Sequence, residues 1–282
     1  MIDTSLLREV NIDMFSAKEM IKKRRSVRSF DGKGLTEADR RKLSEYIDSL
    51  SNPFGVPVEF RLLDAGEHDL SSAVIIGEKE YIAAKVSRSG PYEIAYGYSF
   101  EKACLYALSL GIGTVMLAAS LSRSTFEKAM DVQDHEVMPV ASPVGYPAAK
   151  MSIRENLMRK GLKADDRIPF SKLFFEGNFE TGLTKDAAPA FAEALEMARL
   201  SPSAGNKQPW RAVVDGNRVH FYEYKTMKDS PLGDIQKVDV GIALAHFEMT
   251  MEEEGVSGNF VFDDPGIEAP ENTSYIVTYE AK

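Results

Sequence analysis

Cysteine is nearly absent: one of the 282 residues, Cys104, is a cysteine, so an internal disulfide framework is excluded. Its place in the apolar run from Ser99 to Leu110 predicts a small buried side chain rather than a reactive thiol. Long hydrophobic stretches are also missing. No window approaches the length needed to span a bilayer, and Met1 to Val10 alternates charge and apolarity, so neither secretion nor membrane insertion is expected and a cytoplasmic location is. Basic residues are in deficit, 34 against 43 acidic for a net charge of -9, which argues against general affinity for nucleic acid or anionic membranes. An anion site would have to be a local cluster of cations. His68, His135, His220 and His246 are scattered without paired ligand spacing, so no metal site is expected and each histidine reads as structural or exposed. The lysine-bearing phosphate loop of nucleotide hydrolases is missing too. Gly111-Ile112-Gly113-Thr114 ends a helix instead of opening one after a strand and lacks the spacing of a dinucleotide fingerprint, which excludes a Rossmann nicotinamide site.

With 44% apolar residues, the chain can bury a sizeable core as one large domain or two small ones. Ser16 to Lys23 predicts a short basic helix, and Thr36 with Asp39 predicts a capped helix running to about Leu50. Val58 to Leu63 and Ala73 to Ile76 are rich in β-formers, and Ser99 to Leu110 has helical spacing that stops at Gly111. Ser122 can cap a helix through Met130, and Val137 to Val144 is an extended apolar run closed by Gly145-Tyr146-Pro147. Arg154 to Arg167 is densely charged and reads as a solvated connection or flap. Helix, loop and strand then begin again: a helix over 187–200, a turn-rich loop over 201–209, a hairpin over 211–224 turning at Asp215-Gly216-Asn217, a helix over 238–254 ended by Gly255, and strands at 259–262 and 273–280. Pro53 precedes Gly111 by 58 residues (111 − 53) and Pro202 precedes Gly255 by 53 (255 − 202), a shared layout that points to a degenerate internal duplication. The expected halves are 1–180 and 181–282, packed about a pseudo-twofold axis as a homodimer would be.

Two segments carry chemistry. Lys22 to Arg28 places five cations and a hydroxyl within seven positions of an acidic protein. Arginine forks match phosphate oxygens and stay charged when buried, so Arg24-Arg25-Ser26-Val27-Arg28 is a candidate phosphate clamp. On composition alone a solvated basic face is the favoured explanation, because basic runs are common. Ser201 to Trp210 is more informative: prolines fix the loop, Gly205 lets the backbone approach a ligand, and Ser203 and Asn206 offer hydrogen bonds suited to a ribityl chain or heterocycle edge. Trp210, the sole tryptophan, reads as a core anchor.

Together with Leu110 to Thr114 and Val144 to Pro147, these segments make the chain resemble the nitroreductase family of flavin enzymes, and its tandem branch in particular, over most of its length. The resemblance implies an α+β fold with a central, mainly antiparallel sheet flanked by helices, and two degenerate halves forming a pseudo-dimer in one chain. It implies flavin mononucleotide (FMN) as cofactor, NADH or NADPH as reductant, and a nitroaromatic, quinone or similar small acceptor. The basic motif stands in the first half, where the polar loop is replaced by Asn52-Pro53-Phe54-Gly55; the second half has the polar loop, but no arginines between Glu176 and Lys185. One FMN per chain is therefore expected. By resemblance, Arg24, with Arg25 beside it and Lys163 or Arg167, would hold the phosphate. Ser26 would reach the ribityl or pyrimidine side, and Arg28 the N1/O2 edge. Gly113 and Thr114 would line the site, with the Ala118 and Ala119 amides facing N5 and O4, and Pro202, Ser203, Ala204 and Asn206 closing it. A flavin carrier or sensor without turnover, and a flavin-free interaction protein on the same fold, remain alternatives.

Overall fold

The computed structural model describes residues 15–282, so the expectation for Met1 to Val10 lies outside the described residues. The chain forms two sheets, each flanked by helices. In the first, β1 (Val58–Asp64), β2 (Glu80–Ser87), β5 (Ala141–Gly145) and β3 (Gly113–Thr114) lie in that order, with β4 (Glu136–Val137) against β2, and every pairing is antiparallel. In the second, β6 (Phe174–Glu176), β7 (Trp210–Asp215), β8 (Arg218–Tyr224), β10 (Thr273–Ala281) and β9 (Gly258–Val261) follow one another. Only the β6–β7 edge of that path is parallel. β6 lies on the 1–180 side of the expected boundary yet belongs to the second sheet.

Local chemistry explains the elements that the sequence announced. The hydroxyls of Ser16 and Thr36 accept the amides of Glu19 and Asp39, capping α1 (Ala17–Lys23) and α2 (Glu37–Ser49). Gly111 and Gly255 take positive φ, 78° and 76°, just beyond α3 (Tyr92–Ser109) and α8 (Ile235–Glu253). The hairpin turns at Gly216, at φ 59°. The remaining helices are α4 (Arg123–Ala129), α5 (Ile153–Gly161), α6 (Phe170–Leu173) and α7 (Ala192–Arg199).

Other expectations need correction. Ala73 to Ile76 is not a strand: it opens as a turn at Ala73 and Val74, and Ile76 alone bridges to Ser29. The strand is β2, which escapes pattern reading because it is buried on both faces from Glu80 to Val86 and shows no alternation. α3 begins seven residues before Ser99, and α7 begins five residues after Ala187. Ser122 precedes α4 without a side-chain capping bond, its hydroxyl meeting Ser71 O and Thr125 Oγ1 instead. The charged stretch after Arg154 is helical as far as Gly161. Cys104 and Trp210 are buried as expected, and burial pushes the thiol far up.

α3 and α8 cross at two glycines. A Cβ on Gly97 would stand 2.0 Å from Val238 O, and one on Gly241 would stand 2.2 Å from Ile94 O, so only glycine permits the helices to lie this close. The contact is reciprocal, because each glycine meets the residue three positions before the other.

Candidate functional site

The basic motif leaves α1 as an extended segment fixed from three sides. Val27 N–H donates to Thr114 O at 2.9 Å, Ile76 N–H to Arg28 O at 3.0 Å, and Phe30 N–H to Ile76 O at 2.8 Å. Gly113 permits the first of these contacts, since its Cβ would lie 2.9 Å from the Val27 side chain. From above, the buried carboxylate of Glu155 on α5 accepts the Arg28 amide at 3.3 Å and the Ser29 hydroxyl at 2.9 Å. Glu155 sits in the stretch read as solvated. A capping pattern, Ser152 with Glu155 three residues on, was the available signal for a helix there.

The polar loop is held just as firmly. Asp239, on α8, accepts the Ala204 amide on both carboxylate oxygens, at 3.1 and 3.0 Å. Asn206 Nδ2 donates to Lys163 O at 2.7 Å and Asp166 O at 3.1 Å, tying the loop to the turn after α5. Ser203 Oγ accepts the Gln208 amide at 2.9 Å, leaving its hydroxyl hydrogen for another acceptor. Gly205, Asn206 and Gln208 all have φ between 51° and 57°, a left-handed run in which Gln208 is the strained member.

These two segments face each other across adjoining cavities of about 200 Å³ and about 110 Å³. Arg24, Ser26, Arg28, Leu162, Pro202 and Ser203 line both. The larger is walled by Val115, Met116, Ala118 and Val140 on one side and by Ile235, Val238, Asp239 and Ile242 of α8 on the other. The smaller is cationic, with Arg25, Arg159 and Arg167 joined by Asp165 and Asn206. Of the expected residues, Arg24, Arg25, Ser26, Arg28, Ala118, Arg167, Pro202, Ser203, Ala204 and Asn206 line the cleft. Gly113 and Thr114 lie behind the basic motif as its support, Ala119 is exposed, and Lys163 contributes its carbonyl to Asn206. The sequence reading missed Asp239, Arg159, Leu162 and the apolar face of α8, all brought in by tertiary packing.

Electrostatically, the cleft is poised for an anion. The buried Nε atoms of Arg28 and Arg167 have no hydrogen-bond partner. Burial lowers the pKa of both guanidinium groups; around Arg28, Glu155 acts against the shift, and around Arg167 the neighbouring Arg24 and Arg199 add to it. Burial also raises the Asp239 carboxyl well above the ordinary carboxylate range, with the Ala204 amide opposing the shift. Among the described residues no group of three or more His, Cys, Asp or Glu side chains could hold a metal ion, and no helix is long and apolar enough to cross a membrane.

The fold is thus a mixed α+β one in which an arginine-lined cleft lies between the basic motif and the polar loop. The family model described as "Putative TM nitroreductase" matches residues 16–251, and the chain belongs to that family. A solved structure described as a "putative nitroreductase" from Thermotoga maritima superposes with a TM-score of 0.61 at 21% identity, covering 95% of this chain and 93% of the other, and shows the same fold. A nitroreductase family protein from Clostridium difficile 630 aligns over 60% of this chain and 99% of its own at 15% identity and a TM-score of 0.43. An FMN-dependent nitroreductase from Clostridium difficile R20291 aligns over 50% of this chain and 94% of its own at 15% identity and a TM-score of 0.40. No curated protein matches the chain.

Proposed function

We propose that the protein is an FMN-dependent oxidoreductase that takes reducing equivalents from NADH or NADPH and passes them to a nitroaromatic, quinone or similar small acceptor. The observation that carries this reading is the convergence of Arg24, Ser26 and Arg28 with Pro202, Ser203 and Asn206 on one cleft, where Arg25, Arg159 and Arg167 add further cations. The residues fit the cofactor: Arg24, Arg25, Arg159 and Arg167 surround the cavity suited to a phosphate, and the larger cavity has apolar walls suited to a flat ring. When bound, the flavin supplies the hydride chemistry. The chain's part is to bind, orient and exclude water. Arg28 presents a fixed cation to the ring edge where reduction places negative charge, and Ser203 keeps a hydroxyl hydrogen to donate. Asn206 works by clasping the loop to the 163–166 turn.

The reciprocal crossing of α3 and α8 supports a pseudo-twofold relation between the halves, and with it one functional site per chain. In the Asn52 to Gly55 segment, where the first half would carry its polar loop, Phe54 is buried in the core, its ring 5.5 Å from those of both Tyr98 and Phe260. No arginine cluster stands opposite it in the sequence between Glu176 and Lys185.

Titrating purified protein with FMN and following the flavin absorbance tests this directly. Saturation at one equivalent per chain, and bleaching of the bound flavin by NADH or NADPH in stopped flow, are expected. Saturation at two equivalents removes the single-site reading, no bleaching by either nucleotide removes the nicotinamide step, and no binding removes the flavin reading altogether.

A further inference from the structure

Behind the cleft lies a buried chain of polar groups that connects the two segments of the site. Glu101 on α3 and His246 on α8 are both completely buried. A single carboxylate oxygen, Glu101 Oε1, meets His246 Nε2 at 2.8 Å and Arg24 Nε at 3.6 Å. On the other side of the imidazole, Nδ1 lies 2.9 Å from Ser201 Oγ and 3.1 Å from Met197 O. Ser201 is the residue immediately before Pro202 and Ser203 of the cleft. The sequence Arg24, Glu101, His246, Ser201 therefore runs from the basic motif to the polar loop through the interface of α3 and α8.

The chemistry of each contact fixes its direction. A carboxylate can only accept, so Nε2 carries hydrogen and donates to Glu101. Glu101 is thereby oriented to receive Arg24 through Nε, which leaves the two terminal amino groups of Arg24 for an anion in the cavities it lines. A buried carboxylate is costly unless paired, so the positions of Arg24 and His246 are linked: displacing the imidazole leaves Glu101 to draw Arg24 inward or to stand uncompensated. None of these groups needs to touch the flavin ring.

We infer that His246 is a positioning residue for the cofactor's phosphate, setting through Glu101 the direction in which Arg24 points. This rests on the flavin reading above and assigns to one buried histidine the share of selectivity for a phosphorylated flavin that Arg24 supplies. The imidazole does for Arg24 what an outer partner does for a metal ligand, holding an already charged group at one angle.

The test compares equilibrium binding of FMN and of riboflavin, which shares the ring and ribityl chain but lacks the phosphate, to flavin-stripped wild type and to His246→Phe. His246→Phe is expected to raise the FMN dissociation constant about tenfold, the scale of one charge-assisted hydrogen bond, while the riboflavin constant moves by less than about twofold. Combined with Arg24→Ala, His246→Phe is expected to add no further loss, because it acts through Arg24. Equal weakening toward both flavins, unchanged FMN binding, or additive losses in the double variant overturns the inference. Should His246→Phe not fold, Ser201→Ala decides in the same assay: about threefold weaker FMN with riboflavin unchanged supports it, and no effect or an equal effect on both overturns it. A wild type that binds neither flavin overturns the flavin reading and this inference with it, an outcome distinct from all the others.

Discussion

At the residue scale, the site depends on charges placed where water cannot screen them. Arg28 is the clearest case, a buried guanidinium with its Nε unpaired and only the Glu155 carboxylate acting against its desolvation. Arg28→Ala is expected to shift the bound flavin's midpoint potential downward by roughly 30 mV or more, since the cation favours the reduced form, while the melting temperature changes little. Redox titration beside a thermal melt separates the two. Asn206→Ala should weaken FMN binding by freeing the loop from Lys163 O and Asp166 O, and unchanged affinity would break the shared-site picture. Glu223 offers a separate pH signature. Burial, with the adjacent Asp234 adding to it, raises its pKa from 4.5 to about 7. Burial alone would raise Asp234 as well, but Lys225 and the Gln236 amide more than offset that and hold it below the ordinary value. A raised folded-state pKa means that Glu223 binds its proton more tightly in the folded chain, so its contribution to stability is full below about pH 4.5 and is lost as pH rises through about 7. Glu223→Gln should flatten that part of the stability curve, as read from denaturant midpoints between those two pH values.

At the element scale, the crossing of α3 and α8 governs the rest. α8 supplies one wall of the larger cavity, and its approach to α3 is set by Gly97 and Gly241. Gly97→Ala should cost about 3 kcal/mol, because a Cβ 2.0 Å from a backbone oxygen forces the helices apart. Gly111→Ala, where nothing lies within 4 Å and only the positive φ is unfavourable, should cost about 1 kcal/mol. Thermal denaturation of the pair should rank them in that order, and the Gly97 variant should also lose FMN affinity through the displaced wall. α5 is a different kind of element: its Ile153 and Leu157 stay 82% and 66% exposed while Glu155, between them, is buried on the basic motif. One carboxylate, more than any apolar contact, ties this helix to the site.

At the scale of the whole molecule, the one-site proposal requires two sheets, joined through one helix pair, to offer unequal positions. One collects arginines and the polar loop, and the other is packed with Phe54, Tyr98 and Phe260. Phe54→Ala should cost about 3 kcal/mol by emptying that aromatic contact, yet leave the flavin stoichiometry at one per chain, because no arginine fork stands among those rings to anchor a phosphate. A second equivalent bound by this variant would show that aromatic filling alone had closed the position. Hydrodynamic mass measured on the same samples, against 31.3 kDa for one chain, gives the stoichiometry its denominator.

Short-range chemistry was legible in the sequence. The cap at Thr36, the glycine stops at 111 and 255, the hairpin at 216, the basic motif and the polar loop all depend on neighbours within a few residues, and all appear where the residue pattern put them. What sequence alone did not reach is whatever depends on burial from both sides or on groups far apart along the chain. β2 has no alternation because neither of its faces meets water, and Glu155 looked solvated because its partners, Arg28 and Ser29, are more than a hundred residues away. Asp239, Glu101 and His246 occupy apolar helices where a lone polar residue gives no local sign of its partner. The sequence by itself determined that a run of cations and a loop of short polar side chains stand in two separate segments. Only the packing of α3 against α8 decided that Arg24 and Ser203 would share one cleft, because the free energy of that contact is held in backbone approach and buried polar pairing that no local pattern encodes.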